Sequence, residues 1–186
     1  MTTRRALVIV ALVASGGGLL AGARAPTIQT SDPGVSRSNG VVVYAGVAFT
    51  GTLTEIADGV RTKKTTPYRS GLRHGISRAW HANGALAFAG SFLSGRETGL
   101  HRTWYATGQL RSEHRLERGL LQGVARDWFP DGTPYRAATY VDGQEAGSQQ
   151  MWYTDGSLRA NYVVRDGRRF GLIGAKACVD EAEVLP

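Results

Sequence analysis

Residues 99–122 read GLHRTWYATGQLRSEHRLERGLLQ, and the same pattern recurs on either side of them. Trp80, Trp104, Trp128 and Trp152 are the four tryptophans of the chain and fall every 24 residues. Four residues after each comes a glycine: Gly84, Gly108, Gly132 and Gly156. A second glycine ladder runs Gly71, Gly95, Gly119, Gly143, Gly167, and a third runs Gly75, Gly99, Gly123, Gly147, Gly171. Three ladders in register over about a hundred residues define a tandem repeat.

Within one unit the side chains alternate. Leu100, Arg102 and Trp104 point one way from a strand, and His101, Thr103 and Tyr105 the other. Thr107-Gly108 follows, matched by Asn83-Gly84, Asp131-Gly132 and Asp155-Gly156. Such dipeptides predict type I′ hairpin turns, in which both central residues have φ > 0. The return strand alternates too, with Leu110 and Leu116 expected on one face and Arg111, Glu113 and Arg115 on the other. A second turn falls at Arg118-Gly119 and its equivalents Ser94-Gly95, Asp142-Gly143 and Asp166-Gly167. No 3.6-residue period survives this many glycines, so the helical alternative fails.

The expected fold is therefore all-β: an elongated single-layer antiparallel sheet of tandem 24-residue hairpins. The tryptophans form a column on one face, joined by Leu86, Leu110, Pro134 and Leu158 and extended by Phe92, Leu116, Tyr140 and Val164. His81, Tyr105, Phe129 and Tyr153 form a second aromatic column on the other face. A lone hairpin cannot bury such a face, so each depends on its neighbours. The third glycine ladder is expected at strand entrances, where a ring or backbone approaches closely.

Trp104-Tyr105-Ala106-Thr107-Gly108-Gln109-Leu110 and Trp152-Tyr153-Thr154-Asp155-Gly156-Ser157-Leu158, continued by Tyr140-Val141-Asp142-Gly143 with Gly147, resemble the MORN-repeat family in its second, bacterial variant. The resemblance covers roughly residues 44 to 171. It implies a long twisted sheet built hairpin by hairpin. Whole chains of this kind are similar to the YwqK-like group, labelled as antitoxins, which implies a toxin as one kind of protein partner.

The rest of the chain divides around the repeats. Residues 1–25 read as an export signal: Arg4 and Arg5, an apolar run from Ala6 to Ala14, and a small-residue cleavage site near Ala23. The alternative is an uncleaved anchor over residues 6–23. Residues 26–40, rich in Ser, Gly and Pro, read as a flexible spacer. Residues 41–74 read as a degenerate first repeat, with Val41 to Tyr44 opening the sheet and Ile56 in the tryptophan's place. Full repeats are expected at 75–98, 99–122, 123–146 and 147–171, followed by a tail over 172–186. Export implies a periplasmic or secreted protein.

The 186 residues suit one domain, and the 25 glycines serve the turns. The net charge of +7 is carried almost entirely by arginine, which has two readings: a surface that favours anionic partners, or the imprint of a GC-rich genome. No nucleic-acid motif is present, and an exported chain does not ordinarily meet nucleic acid.

Arg78, Arg102 and Arg126 each stand two residues before a tryptophan, hence on its face, and Gln150 breaks the series. Two readings stand: a groove for an anionic partner, or arginines lying over the indole rings and shielding them. The second is the simpler structural expectation. Candidate partner-binding residues are thus Trp80, Trp104, Trp128, Trp152, Tyr105, Tyr153, Arg78, Arg102 and Arg126. Asp131, Asp142, Asp155 and Asp166 each precede a glycine and read as turn residues rather than catalytic carboxylates. The four histidines lack metal-ligand spacing, and there is no phosphate loop or nucleophile elbow. No catalytic residue, metal site or cofactor is expected. Cys178, the one cysteine, reads as inert, or else as an intermolecular disulfide or redox site. The function expected is a non-enzymatic interaction module, antitoxin-like or scaffolding, for a protein partner. The alternative is an envelope-surface module for anionic lipid or polysaccharide. Open sheet edges also allow self-association.

Overall fold

The computed structural model of the chain describes residues 25–56 and 63–172. Its strands are β1 (Thr27–Gln29), β2 (Val35–Ser38), β3 (Val41–Tyr44), β4 (Val47–Ala48), β5 (Gly51–Ile56), β6 (Lys63–Arg69), β7 (Leu72–Arg73), β8 (Gly75–Trp80) and β9 (Leu86–Leu93). Then come β10 (Arg96–Trp104), β11 (Leu110–Glu117), β12 (Leu120–Leu121), β13 (Gly123–Trp128), β14 (Pro134–Val141), β15 (Gln144–Trp152), β16 (Leu158–Arg165) and β17 (Arg168–Leu172). From β5 to β17 the path follows the sequence, each strand antiparallel to its neighbour, with β7 and β12 off the path beside β6 and β11, and β1 added in parallel beside β5. This is the all-β, hairpin-by-hairpin sheet that the repeat implies.

The two turns of each repeat are of different kinds, and the assignment of type I′ to the tryptophan turns is corrected. At Thr107-Gly108 only the glycine has φ > 0 (88°). Gly108 N–H donates to the Tyr105 carbonyl, and Tyr105 N–H donates to the Gln109 carbonyl, both at 2.9 Å. That is a type I turn followed by one left-handed glycine. The type I′ turns lie at the other end of the hairpins: Arg118 has φ 53° and Gly119 87°, and Ser94, Asp142 and Asp166 repeat this geometry. Glycine is needed once at the first kind of turn. At the second, serine, arginine and aspartate are held left-handed.

A bulge beside every tryptophan decides which side chains share a face. Thr103 pairs with Ser112 but Trp104 pairs with Leu110, so Arg111 is the extra residue on the return strand. The same shift falls at Trp80, Trp128 and Trp152. Because alternation has a period of two, one extra residue moves everything beyond it to the opposite face. Leu110 lies with Trp104, whereas Leu116 lies on the far side with His101. The expectation that Phe92, Leu116, Tyr140 and Val164 extend the tryptophan column is therefore overturned. They are buried on the inner face. The third glycine ladder marks a further irregularity, such as the register shift between Thr98 and His101. Gly99 and Gly123 meet nothing tight there, so their left-handed backbone rather than close approach explains them, whereas at Gly171 a Cβ would strike the Asn161 carbonyl, the close backbone approach expected of this ladder.

Neighbouring repeats are coupled by hydrogen bonds that skip one hairpin. The turn glycines Gly95, Gly119 and Gly143 donate to the carbonyls of Arg73, Glu97 and Leu121, each at 2.9 Å. His81 Nε2 bonds the Trp104 carbonyl at 2.8 Å, and Asn83 Nδ2 the Ala106 carbonyl at 2.7 Å. Each repeat is thus held by the next, as a solenoid-like array requires.

The first end of the sheet is capped. Residues 26–40, expected as a spacer, instead contain β1 and β2. Val41 to Tyr44 does not open the long sheet, because β3 lies in a separate three-stranded sheet, β2-β3-β4. Val42, Phe49, Leu53 and Tyr68 form a core between the two sheets. Val42 N–H donates to the Gly71 carbonyl and Gly71 N–H to the Phe49 carbonyl. A Cβ on Gly71 would strike Val41 Cγ1 and the Val42 carbonyl, so this glycine is required by contact. β5 and β6 pair as a hairpin in the place of the degenerate repeat. The signal or anchor expected over residues 1–25 and the tail beyond 172 lie outside the described residues, apart from Ala25 and Leu172.

Candidate interaction faces

The outer face carries three columns. Arg78, Arg102 and Arg126 run down its middle and are exposed, with the half-buried tryptophans on one side. On the other side, two residues before each arginine, stand Ile76, Leu100 and Val124, which are 46%, 39% and 42% exposed. The fourth repeat substitutes Ser148 and Gln150, so this apolar and cationic strip belongs to the first three full repeats. Sequence analysis put Leu100 on the tryptophan face but did not single out the aliphatic column, because isoleucine, leucine and valine are ordinary strand residues and do not signal exposure.

The arginines do not shield the indoles. Arg102 Nε binds Glu113 Oε2 at 2.6 Å, and Glu113 lies across from both Arg102 and Arg126 in the ladder. Among the described residues the cation over a tryptophan is Lys63, 5.6 Å from the Trp80 ring. Two of the arginines that do cover rings are the extra residues of the bulges: Arg111 over Tyr105 at 5.7 Å and Arg159 over Tyr153 at 5.8 Å. Placing one more residue on the return strand aims its side chain at the aromatic beside the turn.

Of the two tyrosines proposed for a partner, Tyr105 is occupied within the fold, its hydroxyl donating to the Trp128 carbonyl at 2.8 Å. Tyr153 is exposed. The turn aspartates behave as turn residues. Asp131 Oδ1 accepts from the backbone N–H and hydroxyl of Thr133, at 2.9 and 2.7 Å. Asp155 does the same with Ser157. These bonds favour the ionised form and hold both carboxyls below the usual carboxylate range. Cys178 lies outside the described residues, and among the described ones no group of three or more His, Cys, Asp or Glu is placed to hold a metal.

The inner face is lined by a column three residues before each tryptophan: Ser77, His101, Ala125 and Gln149. His101 is 3% exposed and Gln149 2%. Phe88 and Phe92 both meet His101 edge-on at 5.7 Å, and His114 stacks on it at 5.8 Å. Burial and the neighbouring His101 lower the pKa of His114, against smaller opposing effects of Asp127 and Glu97. Burial raises that of Asp127, opposed chiefly by Arg136. Further along, Glu145 accepts from Arg136 Nη2 at 2.9 Å, Arg169 Nη2 at 3.0 Å and the Tyr162 hydroxyl at 3.3 Å. Three donors on one carboxylate tie the third and fourth repeats together. The 24-residue spacing of the column was legible, but not its burial, because polar residues fill three of its four places.

Where the small N-terminal sheet leans over this face, the two enclose a cleft of about 580 Å³. Its floor comes from β5, β6, β8 and β9, and Arg37 closes it from β2.

Residues 97–115, spanning β10 and most of β11, match the family model described as MORN repeat variant. No curated protein matches the chain. The matched hairpin, with its tryptophan bulge and left-handed glycine, is built again around Trp80, Trp128 and Trp152. MORN repeats are as a rule interaction modules rather than catalysts. The chain is thus an all-β repeat protein in which one hairpin, residues 97–115, matches the MORN repeat variant.

Proposed function

We propose that the chain is an exported, non-enzymatic module that docks a protein partner on the outer face of its first three full repeats. One observation carries this reading: Ile76, Leu100 and Val124 stand exposed in register beside the column of Arg78, Arg102 and Arg126. Aligned apolar side chains left in water mark contact surfaces. Arginine beside them selects an apolar partner segment that also carries carboxylates. A toxin held by an antitoxin-like chain is one partner of this kind. Arg4, Arg5 and the apolar run after them support export.

The test is capture from cross-linked cells with the wild-type chain and with Leu100→Glu/Val124→Glu. The double variant should fold, since both side chains are already exposed, and should lose the partner. Retention of the partner by the double variant sinks the proposal. The exposed arginines also suit an anionic envelope surface, and salt separates the two. Association driven mainly by charge weakens steeply between low and physiological ionic strength, whereas an apolar contact holds.

A further inference from the structure

The cleft beneath the N-terminal sheet is chemically divided. Its floor is aromatic, with Phe92 and Tyr68 buried and Phe88 half-buried. The floor's two aliphatic hydroxyls satisfy each other, Thr66 Oγ1 and Ser77 Oγ lying 2.9 Å apart, and Ser77 also donates to the Thr65 carbonyl at 3.1 Å. The middle of the cleft therefore asks for apolar surface.

The two ends differ in charge. At one, Arg37 and Lys64 share the single carboxylate of Glu55, at 3.9 and 3.6 Å, and both remain about half exposed. Two loosely held cations against one carboxylate leave room for a second anion. At the other end Glu97 makes no ion pair among the described residues. The guanidinium beside it, Arg73, lies over the Phe92 ring at 4.2 Å and reaches the Gly95 carbonyl at 3.4 Å. That leaves a carboxylate open to a cation.

We infer that this cleft binds a short free peptide with apolar side chains, its C-terminal carboxylate at Arg37 and Lys64 and its N-terminal ammonium at Glu97. The volume of about 580 Å³ lies within the range typical of small-ligand pockets. A purely anionic ligand would meet Glu97 with repulsion, and a purely cationic one would meet Arg37 and Lys64. A zwitterion with an apolar body satisfies both ends and the floor. The site lies on the opposite face from the partner-docking strip and does not depend on it.

The test is calorimetric titration of the purified full chain with the dipeptide Leu-Phe, N-acetyl-Leu-Phe and Leu-Phe amide. Saturable one-to-one binding of Leu-Phe is expected, and each blocked peptide should bind about tenfold more weakly, the scale of one charge-assisted contact. Glu97→Gln should weaken Leu-Phe to the level of the acetylated peptide and leave the latter unchanged. Ala79→Trp, which fills the cleft, should abolish binding, and Leu100→Glu on the outer face should not alter it. No saturable heat at millimolar Leu-Phe overturns the inference. So does equal affinity for the free and acetylated peptides, or unchanged binding in Glu97→Gln.

Discussion

The hydroxyl of Tyr105 donates to the backbone carbonyl of Trp128 at 2.8 Å, so the aromatic beside one turn clasps the tryptophan of the next repeat. His81 does the same with Trp104. Phe129 has no hydroxyl for the equivalent carbonyl of Trp152. Tyr105→Phe should therefore cost about 0.5–1.5 kcal/mol, and Phe129→Tyr should recover a similar amount elsewhere in the array. Urea unfolding of the two variants checks this. Equal stability of Tyr105→Phe and wild type would mean that the clasp contributes nothing.

The type I′ turns predict a second pair of effects. Arg118 is held at φ 53°, where an ordinary side chain is strained and asparagine is not. Arg118→Asn should raise stability by about 0.5–1 kcal/mol, since an L-residue in this region carries a penalty of that order. Gly108→Ala, at φ 88°, should lower stability by at least as much although nothing lies within 4 Å of its Cβ position. Thermal melts of both variants read the difference.

Leu110 and Leu116 test the assignment of faces. Leu116→Ala removes a buried inner-face side chain and should cost about 2–5 kcal/mol. Leu110→Ala touches the half-buried outer face and should cost clearly less. Similar penalties in denaturant unfolding would contradict the bulge at Arg111.

His114 and Asp127 give the fold a pH dependence of definite sign. The lowered pKa of His114 means that, just below its ordinary value of 6.5, the unfolded chain takes up a proton that the folded chain refuses. Stability is therefore lost as pH falls through 6.5 towards the folded value. The raised pKa of Asp127 acts oppositely and lower on the scale: stability is lost as pH rises from 3.8 to its folded value. Unfolding midpoints at pH 7.5 and 5.5 should show the wild type less stable at 5.5, with a smaller difference in His114→Gln. An unchanged difference in that variant would remove His114 as the cause.

The tandem hairpins, the tryptophan column and the aspartate turns were all legible, because each rests on a residue type at a fixed spacing. The faces were not. A bulge that recurs in every repeat leaves the 24-residue period intact while reversing alternation within each hairpin. Leu110 and Leu116 thus look like neighbours and lie on opposite sides. The arginines were paired with the wrong rings for the same reason, since Arg111, not Arg102, is the residue the bulge aims at an aromatic. The N-terminal cap escaped notice because its strands are two to four residues long and sit among Ser, Gly and Pro. The inner column escaped because serine, histidine and glutamine do not signal burial.

The outer-face docking strip is tested most directly by placing a photo-activatable phenylalanine analogue at position 100, at 124, or at the more exposed 47, and irradiating cells that express the chain. Val47 lies in β4 of the small N-terminal sheet, away from the strip. A protein adduct from positions 100 and 124 and none from 47 is the outcome the strip requires. Equal adducts from all three positions, or an adduct from 47 alone, would contradict it.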